Sequence, residues 1–316
     1  MMTESLPAIE QAIEFSERTL GVVRSVLEKK QLGQDVCVVA TGSFGRREAS
    51  GESDVDFFVL HNRAVSKDDA QEMVQQLRTA IISVVPHPPS PGGAFSAAQR
   101  IDHMLANIGG EKDKNSKITR RMLLLLEGTE LYHSKLFADV QRRIVEHYVR
   151  STISNHALAR FLLNDVIRYY RTMCVDFEYK TGEAGKSWGI RNLKLLYSRK
   201  MLYFGGVVAI AETAHRTRDL KLETLTELFK LTPIQRIQKL FGDQARESLL
   251  LYDSFLSALG QEAFRQEIQN VTADRGTHTE SFTQLKTEAT QFSLALQRLL
   301  LLRYPISHPI HDALIF

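Results

Sequence analysis

Long apolar runs are missing from this sequence. Nowhere in the 316 residues does a stretch approach the roughly 20 consecutive apolar positions that a membrane-spanning helix needs, so none is expected and no membrane partner is read. Cysteine is nearly absent: Cys37 and Cys174 are the two. They make neither a metal-ligand spacing nor a disulfide framework, and both read as buried thiols in a reducing compartment. Charge of one sign is lacking as well. Lys and Arg total 40 against 37 Asp and Glu, a net charge of +3, which argues against coating long nucleic acid and leaves room for a local basic patch. The first residues, MMTESLPAIEQ, carry neither a basic region nor an apolar core of a secretory leader, so a cytoplasmic location is expected. Internal repeats and low-complexity tracts are not found. With 43% hydrophobic and 24% charged residues the composition is that of an ordinary folded protein, and the length suits about two domains.

What is present concentrates in residues 36–60, VCVVATGSFGRREASGESDVDFFVL. The first five residues are apolar and rich in β-branched side chains, and so predict a buried strand. Gly42-Ser43 breaks it and opens a polar, arginine-rich turn. Asp54-Val55-Asp56 then leads into a second apolar run, Phe57 to Leu60. Side chains alternate along a strand, so Asp54 and Asp56 are expected on one face. Adjacent carboxylates repel each other and resist desolvation, and a divalent metal is the usual reason to tolerate them. A Gly-Ser turn upstream offers backbone N–H groups and a hydroxyl to phosphate. Together these point to a site for a nucleoside triphosphate and magnesium.

The pattern Gly42-Ser43-x-Gly45-Arg46-x-Glu48 followed by Ser53-Asp54-x-Asp56 resembles the nucleotidyltransferases of the DNA polymerase β superfamily. It looks most like the branch that holds the PII-protein uridylyltransferases and related bacterial proteins. The resemblance implies an enzyme that transfers a nucleoside monophosphate from a triphosphate to an acceptor hydroxyl, on a protein or a small molecule, with release of pyrophosphate. It implies that Asp54 and Asp56 are catalytic and bridge two Mg2+ (or Mn2+) ions, that Gly42 and Ser43 hold the β- and γ-phosphates, and that Arg46 or Arg47 adds positive charge there. Glu48 is expected to order the loop rather than to touch metal. The superfamily also uses a third carboxylate on a later strand. The segment Gly93-Ala94-Phe95-Ser96 is the candidate strand and holds no acid, so Asp102, Glu111, Asp113 or none fills the role.

Around this stretch the sequence predicts a helix over residues 5–30, another over 67–85 and a Pro/Gly-rich breaker at 86–93. Helical patterns then run over about 117–132, 134–150, 153–180, 188–216, 220–230, 233–258, 261–271 and 279–302. The expected class is α+β: a small nucleotidyltransferase α/β domain with a short mixed sheet over 1–115, then an all-helical domain over 116–316 that closes the nucleotide cleft. In that second part Arg191, Lys194 and Ser198 fall at helical spacing on one face. The resemblance implies that Lys194 and Ser198 grip the triphosphate. Trp188 reads as packing at a domain interface ahead of stacking on a base. Two other functions share the same core: synthesis of a nucleotide second messenger, and a catalytically silent nucleotide sensor or scaffold.

Overall fold

The computed structural model describes residues 5–62, 66–85, 87 and 98–315. In it the chain divides into two compact units: a sheet unit of residues 12–155 and 216–232, and a helical unit of 1–11, 156–215 and 233–316. The boundary expected at 115/116 falls inside the sheet unit.

Chain order in the sheet unit is α1 (Pro7–Glu28, whose first turn belongs to the helical unit), β1 (Val36–Ala40), α2 (Gly42–Arg46), β2 (Phe57–His61), α3 (Lys67–Ile82), β3 (Gln99–Arg100), α4 (Ile101–Leu105), α5 (Asn115–Leu126), β4 (Thr129–Tyr132) and α6 (Ser134–Tyr148). Among the described residues the sheet has four strands in the order β3-β2-β1-β4. β1 is antiparallel to β2 and β4, and β2 is parallel to β3, so the sheet is mixed and the class is α+β. On one face Val36, Val38, Ala40, Phe57 and Val59 pack with Leu20, Val23 and Leu27 of α1 and Val74, Leu77 and Ile81 of α3. The alternate residues Cys37, Val39, Phe58 and Leu60 are just as buried, and α6 lies against β1. Strands covered on both faces need apolar side chains at every position, which is why both runs are continuous rather than alternating. Burial pushes the Cys37 thiol far above its ordinary range.

The antiparallel register pairs Ala40 with Phe57 and Val36 with His61. The end of β1 therefore lies beside the start of β2, and both halves of the glycine-aspartate motif meet at that end of the sheet. The Thr41 N–H extends the ladder by donating to the Asp56 carbonyl at 2.9 Å. On the other side of β1, Ala40 pairs with Thr129. That pairing brings the α5–β4 corner, Glu127-Gly128, to the same end. The sequence predicts one helix over 117–132, whereas the helix stops at Leu126 and residues 129–132 join the sheet.

Among the described residues the third strand is Gln99–Arg100, paired with Leu60 and His61 of β2. The candidate at 93–96 lies outside the described residues. α10 (Arg218–Phe229) completes the sheet unit and packs on α6.

The helical unit runs α7 (Arg160–Gly182), α8 (Trp188–Lys194), a π-helical turn (Leu195–Arg199) and α9 (Lys200–Ala211), then α11 (Pro233–Phe241), α12 (Arg246–Gly260), α13 (Glu262–Glu267), α14 (Glu280–Arg303) and α15 (Pro309–Ile315). α9, KMLYFGGVVAIA, is apolar nearly all round and is buried, as a helix without a polar face must be. It packs on α7 and α11. Tyr197 is stacked between Phe255, at 4.4 Å between ring centres, and Phe292, at 5.2 Å, and its hydroxyl donates to the Leu285 carbonyl. No helix among the described residues is long and apolar enough to cross a membrane.

Candidate functional site

The two glycines of the turn are required for different reasons. Gly42 has φ +66°, the left-handed region, and a Cβ there would sit 2.9 Å from Asp56 Oδ2. The bare Cα thus lets the turn close against the Asp56 carboxylate. Gly45 has ordinary dihedrals, but a Cβ would lie 2.1 Å from the Glu127 carbonyl oxygen. α2 is seated on the α5–β4 corner through that contact. The same substitution therefore has two expected outcomes. Gly45→Ala meets backbone that cannot swing away and should cost about 3 kcal/mol. Gly42→Ala meets the end of a side chain and should cost about 1–2 kcal/mol for its backbone conformation, while displacing Asp56. Thermal melts of the two variants check the difference; equal melting temperatures would contradict the seating of Gly45.

Accessibility separates the motif residues further. Of residues 41–49, Ser43 and Arg47 alone are not buried. Asp54 is half-buried, Val55 is fully buried in the core, and Asp56 is half-buried. This alternation is what a shared face for the two carboxylates requires. Ser43, Arg47, Ser53, Asp54 and Asp56 are thus the partly exposed polar members of the motif.

The arginines have other partners. Arg46 Nε donates to Glu48 Oε2 at 2.7 Å, and its Nη1 donates to Glu127 Oε2. Arg46, Glu127 and Glu48 are only 3%, 5% and 7% exposed. The other Glu127 oxygen accepts from the Gly42 N–H at 3.2 Å. Arg47, at φ 61°, ends α2: its Nη1 donates to the Gly45 carbonyl and to Thr129 Oγ1, and its Nε to Glu17. Both side chains thus tie the turn to α1, β4 and the α5–β4 corner. Glu127 was not among the sequence candidates. Its one signal is the Glu-Gly that ends the leucine-rich run, which reads as the end of a helix and nothing more.

Residues 22–89 match the family model of the nucleotidyltransferase domain. The match covers β1, the Gly42–Gly45 turn, Asp54, Asp56 and β2. No curated protein matches the chain. A nucleotidyltransferase domain transfers a nucleoside monophosphate and takes a nucleoside triphosphate as substrate.

The acids considered as a third carboxylate for the nucleotidyltransferase domain stand apart from this group. Asp102 is exposed and paired with Arg100 at 2.5 Å, whose hydrogen bond holds its carboxyl below the usual range. Glu111 is exposed. Asp113 is buried. Burial pushes its carboxyl up, but two bonds from Arg121, at 2.7 and 2.9 Å, and one from the Gly109 N–H outweigh this and hold it below the usual range. The sequence has no Asp or Glu between Glu72 and Asp102. Among the described residues no group of three or more His, Cys, Asp or Glu side chains converges as a metal site.

Lys194 and Ser198 belong to the helical unit, not to the unit that carries Asp54 and Asp56. Lys194 ends α8, half-buried, and Ser198 is buried within the π-helical turn. That wider turn moves Ser198 off the face that continuous α-helical spacing assigns it with Arg191 and Lys194. Trp188 packs inside the helical unit: it stacks on His278 at 5.9 Å, abuts Phe177 and Phe282, and has Lys286 Nζ over its ring at 5.6 Å.

Proposed function

We propose that the chain is a magnesium-dependent nucleotidyltransferase that moves a nucleoside monophosphate from a triphosphate to an acceptor hydroxyl on a protein or a small molecule. The observation that carries this reading is the pair Asp54 and Asp56, half-buried in the segment just ahead of β2, with Asp56 against Gly42. Magnesium is commonly bound by one or two carboxylates together with substrate phosphates, so this donor set fits Mg2+ or Mn2+, and Asp54 and Asp56 would hold it. When bound, the ion neutralises phosphate charge and stabilises the attacking and leaving oxygens. The acceptor oxygen bonds to the α-phosphorus as the bond to pyrophosphate breaks. Ser43 offers its hydroxyl to the β- and γ-phosphates. The Gly42 N–H already donates to Glu127, so the part of Gly42 is to let the backbone come close. Arg46 holds the turn from within. The likeness to PII-protein uridylyltransferases favours a protein acceptor.

The test is pyrophosphate release with each of the four nucleoside triphosphates, with Mg2+ or Mn2+, in the presence and absence of cell extract. Label transferred to a protein supports the protein acceptor. A soluble nucleotide product made without extract shifts the assignment to second-messenger synthesis. Triphosphate binding with no pyrophosphate under any condition overturns the enzyme reading in favour of a silent sensor.

A further inference from the structure

We propose that Glu127 is the positioning residue of this site, acting on Asp56 through Gly42; the inference rests on the nucleotidyltransferase reading above. Three contacts meet at residue 127. Oε1 accepts from the Gly42 N–H, 85 residues away in sequence. Oε2 accepts from Arg46, 81 residues away. The Glu127 backbone carbonyl fills the space that a Cβ at Gly45 would need. One residue thus fixes the first, middle and last parts of α2. The position of Gly42 in turn bounds Asp56, whose Oδ2 lies where a Gly42 Cβ would be only 2.9 Å away. The Gly42 backbone is thus one wall against which the Asp56 carboxylate rests, and a tilt of that peptide moves the wall. Glu127 acts indirectly: it is buried, and both of its oxygens already accept bonds within the protein. It is therefore not itself a ligand of substrate or metal. Arg46 also donates to Glu48, so one guanidinium bridges two carboxylates beneath the turn.

Glu127→Gln tests this at constant volume. A glutamine offers one acceptor oxygen and one donor nitrogen, so it can satisfy either the Gly42 N–H or Arg46, never both. Residues that orient metal-binding side chains from behind are typically worth about 10–100-fold in metal affinity or activity. Mn2+ binding in the presence of triphosphate, read by electron paramagnetic resonance, and the Mg2+ midpoint of pyrophosphate release are expected to weaken by about that factor. A residue with a structural role alone would lower the melting temperature and the active fraction and leave both midpoints where they were; that result overturns the proposal. A wild-type protein that neither binds Mn2+ nor releases pyrophosphate overturns the functional reading itself. Should the variant not fold, hydrogen exchange on the wild-type protein decides. Protection of the Gly42 amide supports the contact, and exchange at the rate of a free loop refutes it.

Discussion

Asp56→Asn is expected to abolish pyrophosphate release and leave the fold intact. The carboxylate is half-buried at the end of the sheet, and its backbone carbonyl, which accepts from Thr41, is retained in the variant. Asparagine has the same shape, so the close approach of Gly42 survives. What disappears is one of two negative charges. Holding a metal against a triphosphate supplies several kcal/mol of charge stabilisation, so losing it should slow turnover by about 10³-fold or more. The change is isosteric and lies at a half-buried position, so the melting temperature should stay near that of the wild type. Asp54→Asn should behave alike. Turnover and melting measured on the same preparations give the answer. An active Asp56→Asn protein would remove the basis of the assignment, and a variant that melts far below wild type would make Asp56 a structural residue.

The second large effect concerns stability. Arg46→Met deletes the guanidinium that bridges Glu48 and Glu127 and leaves both carboxylates in a buried site. Breaking a buried ion pair by removing one partner costs about 3–5 kcal/mol, because the remaining charge is uncompensated. For a domain of this size that is a drop on the order of 10 °C in melting temperature. Methionine fills much of the arginine volume, so the loss reports charge rather than a cavity. Adding Glu48→Gln to Arg46→Met should recover part of the deficit, a coupling that a double-mutant cycle isolates. A single variant that melts with wild type would mean that the three side chains are solvated.

Much of the site can be read directly from residues 36–60. β1 and β2 are strong because each is a short run of apolar, largely β-branched or aromatic residues bounded by polar turns, and both are covered on two faces. The Asp54-Val55-Asp56 alternation is a two-residue periodicity, the most local signal a strand has. Helices such as α14, predicted over 279–302 and found over Glu280–Arg303, follow from their own spacing and from Thr279, whose side chain accepts from the Phe282 N–H at the start.

Long-range pairing accounts for the rest. β4 carries Thr129-Glu130-Leu131-Tyr132 straight after a run of leucines, and nothing local separates it from a continuing helix; hydrogen bonding to β1 makes it a strand. That pairing also carries Glu127 to the Gly42 turn, and no pattern in a linear sequence links residues 85 positions apart. Arg46 shows the same limit. Its neighbours in sequence imply a phosphate ligand, while its neighbours in space are two glutamates. Gly45 is the last case: its dihedrals would suit any residue, and only the Glu127 carbonyl packed against it makes a side chain impossible. Local periodicity and turn chemistry were enough to mark the two strands, the glycine turn and the two aspartates. Which end of the sheet they share, and which side chains hold the turn from behind, depended on contacts that form only when distant segments close around the strands.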